Sequence, residues 1–321
     1  MNRTAQLLAT GVLCLSAVGA GAQEAYPARP INMVVPFTAG SQPDILARGF
    51  ADGLARLGGQ PVVVINRDGA AGTIAVESVA RANPDGYTIG FGPAGQFVLQ
   101  PHIRRDLGYR LDSFEFFCRT NSTGFVIAVG QNSPFTTLAQ LLEAARRAPG
   151  KLNFGSAGHA TVPHLVGESV AMAAGVSFTH VPFKNIGDMY LQAMNGTLDF
   201  ISSTPTALAG TRGMRGLAVT QDSRLSAYPD VPTFNELGMG QINSPGLTTL
   251  GIYAPRGVPA QVSTFLRGIC PKVLDQPGAK AAADKTLTPV TYLDGPAHAA
   301  SLQQDFARVG ALLGHVGIKA P

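Results

Sequence analysis

The sequence has no tryptophan, only three cysteines among 321 residues, and charged side chains at just 14% of positions. Each shortage excludes something. The basic residues are scattered, and the densest pairs are Arg104-Arg105 and Arg146-Arg147. A nucleic-acid face needs clustered Lys/Arg or base-stacking aromatics, so no nucleic-acid partner is expected. Beyond residue 22 no apolar run approaches the ~20 residues of a membrane span. Neither H-E-x-x-H nor G-x-x-x-x-G-K-[ST] occurs, which removes the zinc-protease and phosphate-loop signatures. Low charge beside 45% hydrophobic residues is also the opposite of a disordered composition.

What is present begins with an address. Met1–Thr4 is polar with one positive charge at Arg3, an apolar run follows from Ala5 to about Ala20, and Ala20-Gly21-Ala22 precedes Gln23-Glu24. A positive start, a short apolar core and an A-x-A exit make residues 1–22 a signal peptide cut after Ala22. An uncleaved anchor helix is the alternative. Cys14 follows the bulky Leu13, which argues against lipoprotein processing. The mature chain is expected in the periplasm, with 299 residues (321 less 22) and a net charge near +3 once Arg3 is lost from +4. Of the two remaining cysteines, Cys118 and Cys270 can pair in an oxidising compartment, or remain separately buried thiols.

The mature chain alternates short apolar runs with helical segments, the pattern of an α/β fold. Strands are expected at Ile31–Val35, Val62–Ile65 and Tyr87–Phe91, with helices over Ile45–Leu57 and from Thr73. The plan repeats with strands at Phe125–Val129, Leu152–Phe154, Phe178–Val181, Leu198–Ile201 and Gly216–Val219. Its helices are Thr137–Arg147, Val162–Ala174 and Asp188–Asn195. Gly246–Ala254 reads as a returning strand, and two helices are expected around Gln261–Leu274 and Ala297–Leu313. Two such units joined by crossing strands suggest lobe I over 23–125 and 246–321, lobe II over 126–245, and a cleft between them.

Two strand–loop–helix turns, one per lobe, carry the chemistry: Pro36–Asp44 and Gly155–Thr161. Both are rich in small and hydroxyl residues and lead into helices, whose N-termini bind anions through unpaired N–H groups. Ligands of open α/β sheets sit at the carboxyl ends of strands, where both loops lie. Thr38, Ser41, Ser156 and Thr161 could add hydroxyl donors. Asp44 is either a ligand contact or an early helix residue favoured by the dipole. Gly155-Ser156-Ala157-Gly158 lacks the G-x-S-x-G spacing of a nucleophile elbow. His159 and His164, five apart, would not share a face of one helix, so no metal site is expected. No catalytic group and no cofactor is expected either.

At these loops the chain resembles the Bug family of tripartite tricarboxylate transporter receptors. The similarity runs in order through Tyr26-Pro27-Ala28-Arg29-Pro30-Ile31, Val35–Gly40 with Asp44, Asn66–Gly72, Asp85–Thr88 and Pro101-His102. It continues through Phe154–Gly158, His164-Leu165, His180–Lys184, Leu217–Thr220 and Pro229–Thr233. The resemblance implies a two-lobed, Venus-flytrap periplasmic binding protein, without catalysis, that takes a small carboxylate and hands it to membrane subunits of a secondary transporter. It implies a grip by Phe37, Thr38, Ala39, Gly40 and Ser41 from one lobe and Ser156, Ala157, Gly158, His159 and Thr161 from the other. Gly92, Pro93 and Ala94 border the cleft, and Asp44, His164 and Ser203 complete the candidate set. Where the family has P-F-P-A-G-G this chain has Pro36-Phe37-Thr38-Ala39-Gly40-Ser41, and His159-Ala160-Thr161 replaces a small or amide residue followed by Gly-Ser. Lys184-Asn185, Asp188-Met189 and Ser203 also depart from the family pattern, and near Thr249, where an aromatic, often Trp, is expected, the chain has no Trp. These departures direct attention to the distal part of the pocket, where His159 is expected to meet the ligand's second polar group. The protein is expected to be a monomer. Its rivals in other classes are an exported serine hydrolase using Ser156, a ligand-presenting sensor and a structural envelope protein.

Overall fold

The computed structural model describes residues 25–209, 213–221, 223–242 and 249–316. The expected signal peptide and the start of the expected strand at Gly246 lie outside the described residues. The strands are β1 (Ile31–Val35), β2 (Val62–Asn66), β3 (Thr88–Pro93), β4 (Phe114–Ser122), β5 (Val126–Gly130), β6 (Asn153–Ser156), β7 (Thr179–Pro182), β8 (Phe200–Ser203), β9 (Met214–Val219), β10 (Thr249–Pro255) and β11 (Val290–Asp294). The helices are α1 (Gln42–Gly58), α2 (Thr73–Ala80), α3 (Gly95–Val98), α4 (Gln100–Ile103), α5 (Leu138–Arg147), α6 (Val162–Ala174), α7 (Ile186–Met194), α8 (Thr206–Ala209), α9 (Ala260–Leu274), α10 (Pro277–Thr286) and α11 (Gly295–Val316).

The strands form two sheets, ordered β11-β4-β10-β3-β1-β2 and β7-β6-β8-β5-β9. In the first, β1 is flanked by β2 and β3, both parallel to it. In the second, β6 is flanked in the same way by β7 and β8. Each unit runs strand, helix, strand on one side of its first strand and then returns to the other side. Each therefore has a switch point, between β1 and β3 and between β6 and β8, and ligands of α/β sheets bind at such crevices. Beyond each unit an antiparallel strand pairs with its third parallel strand: β10 with β3, and β5 with β8. The chain passes from the first sheet to the second between Ser122 and Val126 and returns between Val219 and Thr249.

The two helices at the switch points share a local design. Ser41 caps α1 in extended conformation, with Pro43 in the first turn and Gly59 left-handed at the end. Thr161 caps α6 likewise, followed by Pro163 and ended by left-handed Gly175. Proline suits the first turn because its missing N–H has no helical acceptor there. Its reading as a loop residue explains why α1, expected from Ile45, starts at Gln42.

Two strands, β4 and β11, and four helices, the short α3, α4 and α8 and the longer α10, went unrecognised in the sequence. β4 lies within the first sheet, paired with β10 and β11, and α10 adds a third helix to the expected final pair. Cys118 on β4 and Cys270 on α9 form a disulfide, with Cα atoms 6.6 Å apart. It joins a sheet strand to its covering helix inside a core of Phe91, Phe117, Leu250 and Val273. Among the described residues no helix is long and apolar enough to cross a membrane.

Candidate functional site

The carboxyl ends of β1, β3, β6 and β8 meet around a cavity. Its inner chamber has a free volume of about 100 Å³, with room for several waters or one small solute. Four connections supply its walls: Phe37, Gly40 and Ser41 after β1, Pro93 and Gly95 after β3, Ala157 and Thr161 after β6, and Thr204 and Thr206 after β8. Ser203, at the end of β8, and Tyr190, from α7, join them. An outer mouth of about 390 Å³ shares Phe37, Ala71, Ala157 and Ile186 with the chamber and adds Thr38, Gly158, His159 and three charged residues, Asp68, Arg104 and Lys184.

The chamber is uncharged and largely apolar, with a few polar groups set into its wall. Its lining includes no Asp, Glu, Lys, Arg or His. Ser41 is 5% exposed, and its Oγ neither caps α1 nor meets any other hydrogen-bond partner. The first N–H groups of α1 and α6 have no intrahelical acceptor and carry the positive end of each helix dipole. The Thr161 hydroxyl donates to Gly158 O (2.8 Å), fixing the second loop, while the Tyr190 and Ser203 hydroxyls share a hydrogen bond of 3.0 Å. Burial raises the pKa of the Tyr190 phenol despite its bonds to Ser203 and Thr204, so it stays neutral. Ala71 and Ala160, beside the chamber and mouth, hold left-handed φ values of 56° and 57°. Such backbone strain in non-glycine residues collects at ligand sites.

Several expected site residues stand behind the wall. The Asp44 carboxylate accepts from Gly40 N (2.9 Å), Asn66 Nδ2 (2.9 Å) and Arg48 Nε (3.0 Å), and forms a 2.9 Å ion pair with Arg48 Nη2. Burial alone would raise its pKa, but these bonds outweigh it and hold the carboxyl below its ordinary value. Asp44 thus orders the first loop. Ala39 is exposed and outside both cavities. Gly92 packs beneath Pro36, and Ala94 N donates to Thr249 O (2.8 Å).

Ser156 is fully buried, and its Oγ lies 2.8 Å from His180 Nε2 and 3.1 Å from Gly158 O. It lines neither the chamber nor the mouth. His164 stacks on His180 with ring centroids 3.8 Å apart, and His159 lies 4.9 Å from His164. The assumption of a single helix misplaced His159: it precedes the Thr161 cap, so its ring can reach His164. The three imidazoles have metal-ligand atoms within 4.8 Å of one another. However, His164 Nδ1 accepts from Ala160 N (3.0 Å) while Nε2 faces Glu168 (3.5 Å). Accepting at Nδ1 puts the proton of the neutral ring on Nε2, so neither nitrogen offers a metal a free lone pair here. Burial, then the neighbouring His164 and His159, push the His180 pKa down to about 3. His159 sits at the mouth rather than in the chamber.

Sequence reasoning missed Gln96, Gln100, Phe125, Ile186, Tyr190, Thr204 and Thr206 on the chamber wall. Gln96 and Gln100 follow the carboxyl end of β3, the one signal that could have pointed to them.

Residues 46–318 match the tripartite tricarboxylate transporter family receptor, TctC. A UPF0065 protein of Bordetella pertussis is 34% identical over 260 residues, covering 79% of each chain. The structure of periplasmic binding protein BugD superposes with a TM-score of 0.85 at 28% identity, covering 92% of this chain and 100% of the other. A protein of R. palustris solved with adipate superposes with a TM-score of 0.84 at 27% identity, with the same coverage. The chain belongs to the TctC, or Bug, family of solute-binding receptors.

Proposed function

We propose that this protein is exported to the periplasm, captures a small organic carboxylate between its lobes, and delivers it to the membrane subunits of a tripartite tricarboxylate-type transporter without chemical turnover. The lobes are 23–125 with 246–321, and 126–245, and they close about the strands that join them. The observation carrying this reading is the pairing of two helix N-termini, α1 behind Ser41 and α6 behind Thr161, on one small uncharged chamber. N–H groups and hydroxyls suit an anion, and contributions from both lobes make the closed state the tighter binder. The R. palustris relative solved with adipate supports a carboxylate. Arg104 and Lys184 at the mouth would draw an anion inward.

The test is thermal unfolding of the mature protein, freed of co-purified ligand, against a panel of carboxylic acids. A ligand at ~100 times its dissociation constant adds about 2.7 kcal/mol of stability. A shift with one class of acid is expected, and its loss in Ser41→Ala would place the site. No shift with any acid would refute the carboxylate reading.

The Ser156–His180 contact is the feature that favours a hydrolase. Burial of the serine outside both cavities weighs against it. Ester turnover abolished by Ser156→Ala would reverse that judgement.

A further inference from the structure

Gln96 and Gln100 lie on the chamber wall, 4% and 2% exposed. Each amide nitrogen commits one hydrogen: Gln96 Nε2 donates to Ala71 O (3.0 Å), and Gln100 Nε2 donates to Ala160 O. The second of these bonds crosses from one lobe to the other. Both acceptors are backbone carbonyls, so turning either amide over would set oxygen against oxygen. The orientation is therefore determined by chemistry. Each Oε1 is left buried without a hydrogen-bond partner, and buried acceptors are rarely left so unless a water or ligand completes them.

Ser41 Oγ is the other buried, unpartnered side-chain oxygen on the same wall. A hydroxyl can donate, and this one stands at the positive end of α1. The chamber thus offers two unlike features, a donor region at the helix ends and a pair of amide oxygens that can only accept. A second ionised carboxylate beside those oxygens would bring acceptor to acceptor, with no cation on the wall to offset it.

We propose that the ligand is a monocarboxylate that also bears an uncharged hydrogen-bond donor, a hydroxyl or an amide N–H, and that Gln96 and Gln100 select it through their side-chain oxygens. This rests on the carboxylate reading above and narrows it.

The experiment compares dissociation constants, by calorimetry at pH 7.5, within sets matched in length. One set is butanoate, 2-hydroxybutanoate, 4-hydroxybutanoate, succinamate and succinate. The other is hexanoate, 6-hydroxyhexanoate, adipamate and adipate. In at least one set a donor-bearing acid is expected to bind tenfold or more tightly than both the plain acid and the diacid. Gln96→Met and Gln100→Met, each checked for native melting, should erase that preference, and Gln100→Met should also weaken all the acids alike because it removes the bond to Ala160. A diacid that binds as tightly as its hydroxy or amide counterpart overturns the proposal and leaves the receptor reading intact. So does a preference that survives in both variants. If none of the acids binds, the carboxylate reading fails and this proposal falls with it.

Discussion

Asp44→Asn tests whether Asp44 shapes the binding loop or touches the ligand. In the structure its two carboxylate oxygens take four donors from three residues: Gly40 N–H, Asn66 Nδ2, and the Arg48 guanidinium twice. Asn66 Nδ2 also donates to Phe37 O (2.9 Å), so this cluster ties the loop to the end of β2. An asparagine keeps one acceptor oxygen and turns an NH₂ toward the remaining donors. Hydrogen bonds to a charged group are worth about 1.5–3 kcal/mol each. Arg48 is half exposed and can recover water. The net loss should therefore be about 3 kcal/mol, or roughly 6 °C in melting temperature for a chain of this size.

The pH dependence supplies a second check. The folded pKa of Asp44 lies below its unfolded value. Its contribution is therefore complete above about pH 4 and is lost as pH falls through the folded value. The gap between wild type and variant, measured by urea unfolding, should be full at pH 7 and close on acidification. Ligand affinity should fall as well, because Gly40 loses its anchor. An Asp44→Asn protein that melts like the wild type but no longer binds ligand would refute this account and make Asp44 a contact.

Four further outcomes follow from the same structure. Removing the disulfide by Cys118→Ala with Cys270→Ala frees a loop of 152 residues in sequence separation; denaturant unfolding should show a loss of up to about 5 kcal/mol. Ligand affinity, measured by calorimetry below the new melting point, should not change, since neither cysteine lines the chamber. Gly72→Ala puts a Cβ at a φ of +88°, 2.7 Å from Gln96 Nε2 and 3.0 Å from Pro36 Cβ; it should cost about 2–4 kcal/mol in urea unfolding and weaken binding by moving the Gln96 amide. His180 and His298 have pKa values lowered to about 3 and about 4, first by burial and then by His164 with His159, or by Arg119. Both folded values lie below the unfolded one, so stability should fall as pH drops below about 6.5, and a His298→Gln variant should show a shallower decline. Rising salt should slow ligand association in stopped-flow while leaving dissociation nearly unchanged, because Arg104 and Lys184 stand at the mouth and not in the chamber.

The legible parts of this protein are those in which local chemistry and tertiary role coincide. β1 and α6 have their expected boundaries because an apolar run, a Thr cap, an early proline and a terminal glycine all act within the segment they define. β4 was hidden because its reason for being a strand is remote: its partners are β10 and β11, more than 120 residues later. Its polar Arg119 and Asn121 are satisfied from afar: Arg119 Nε donates to Thr291 O (2.7 Å) and Asn121 Nδ2 to Thr288 O (3.1 Å), bonds only the assembled fold supplies. The site divides in the same way. Glycine-rich turns are visible as letters, whereas Gln96 and Gln100 belong to two short helical turns that carry no motif. The histidines were legible as a list but not as a stack, because His180 arrives from β7.

A chamber without a cation fits the task of capture and release better than an arginine clamp would. A buried ion pair carries a large desolvation cost and, once formed, a large cost to break. Helix ends hold an anion with fixed dipoles, each worth up to about 2 kcal/mol in partly buried geometry. Under the proposed lobe division the α1 end and the α6 end lie on opposite lobes, so an anion seated on the first would gain the second only by closure. That increment, with one or two hydrogen bonds near 1 kcal/mol each, is the differential affinity that can shift an open–closed equilibrium. It amounts to a few kcal/mol, or roughly a hundredfold, enough to populate the closed form in the presence of ligand. Reopening gives the increment back, and water then reaches the ligand again. On the same division the Gln100–Ala160 bond would contribute to closure whether or not ligand is present. Selectivity must therefore reside in the groups whose hydrogen bonds the protein leaves unmade: Ser41 Oγ and the two glutamine oxygens.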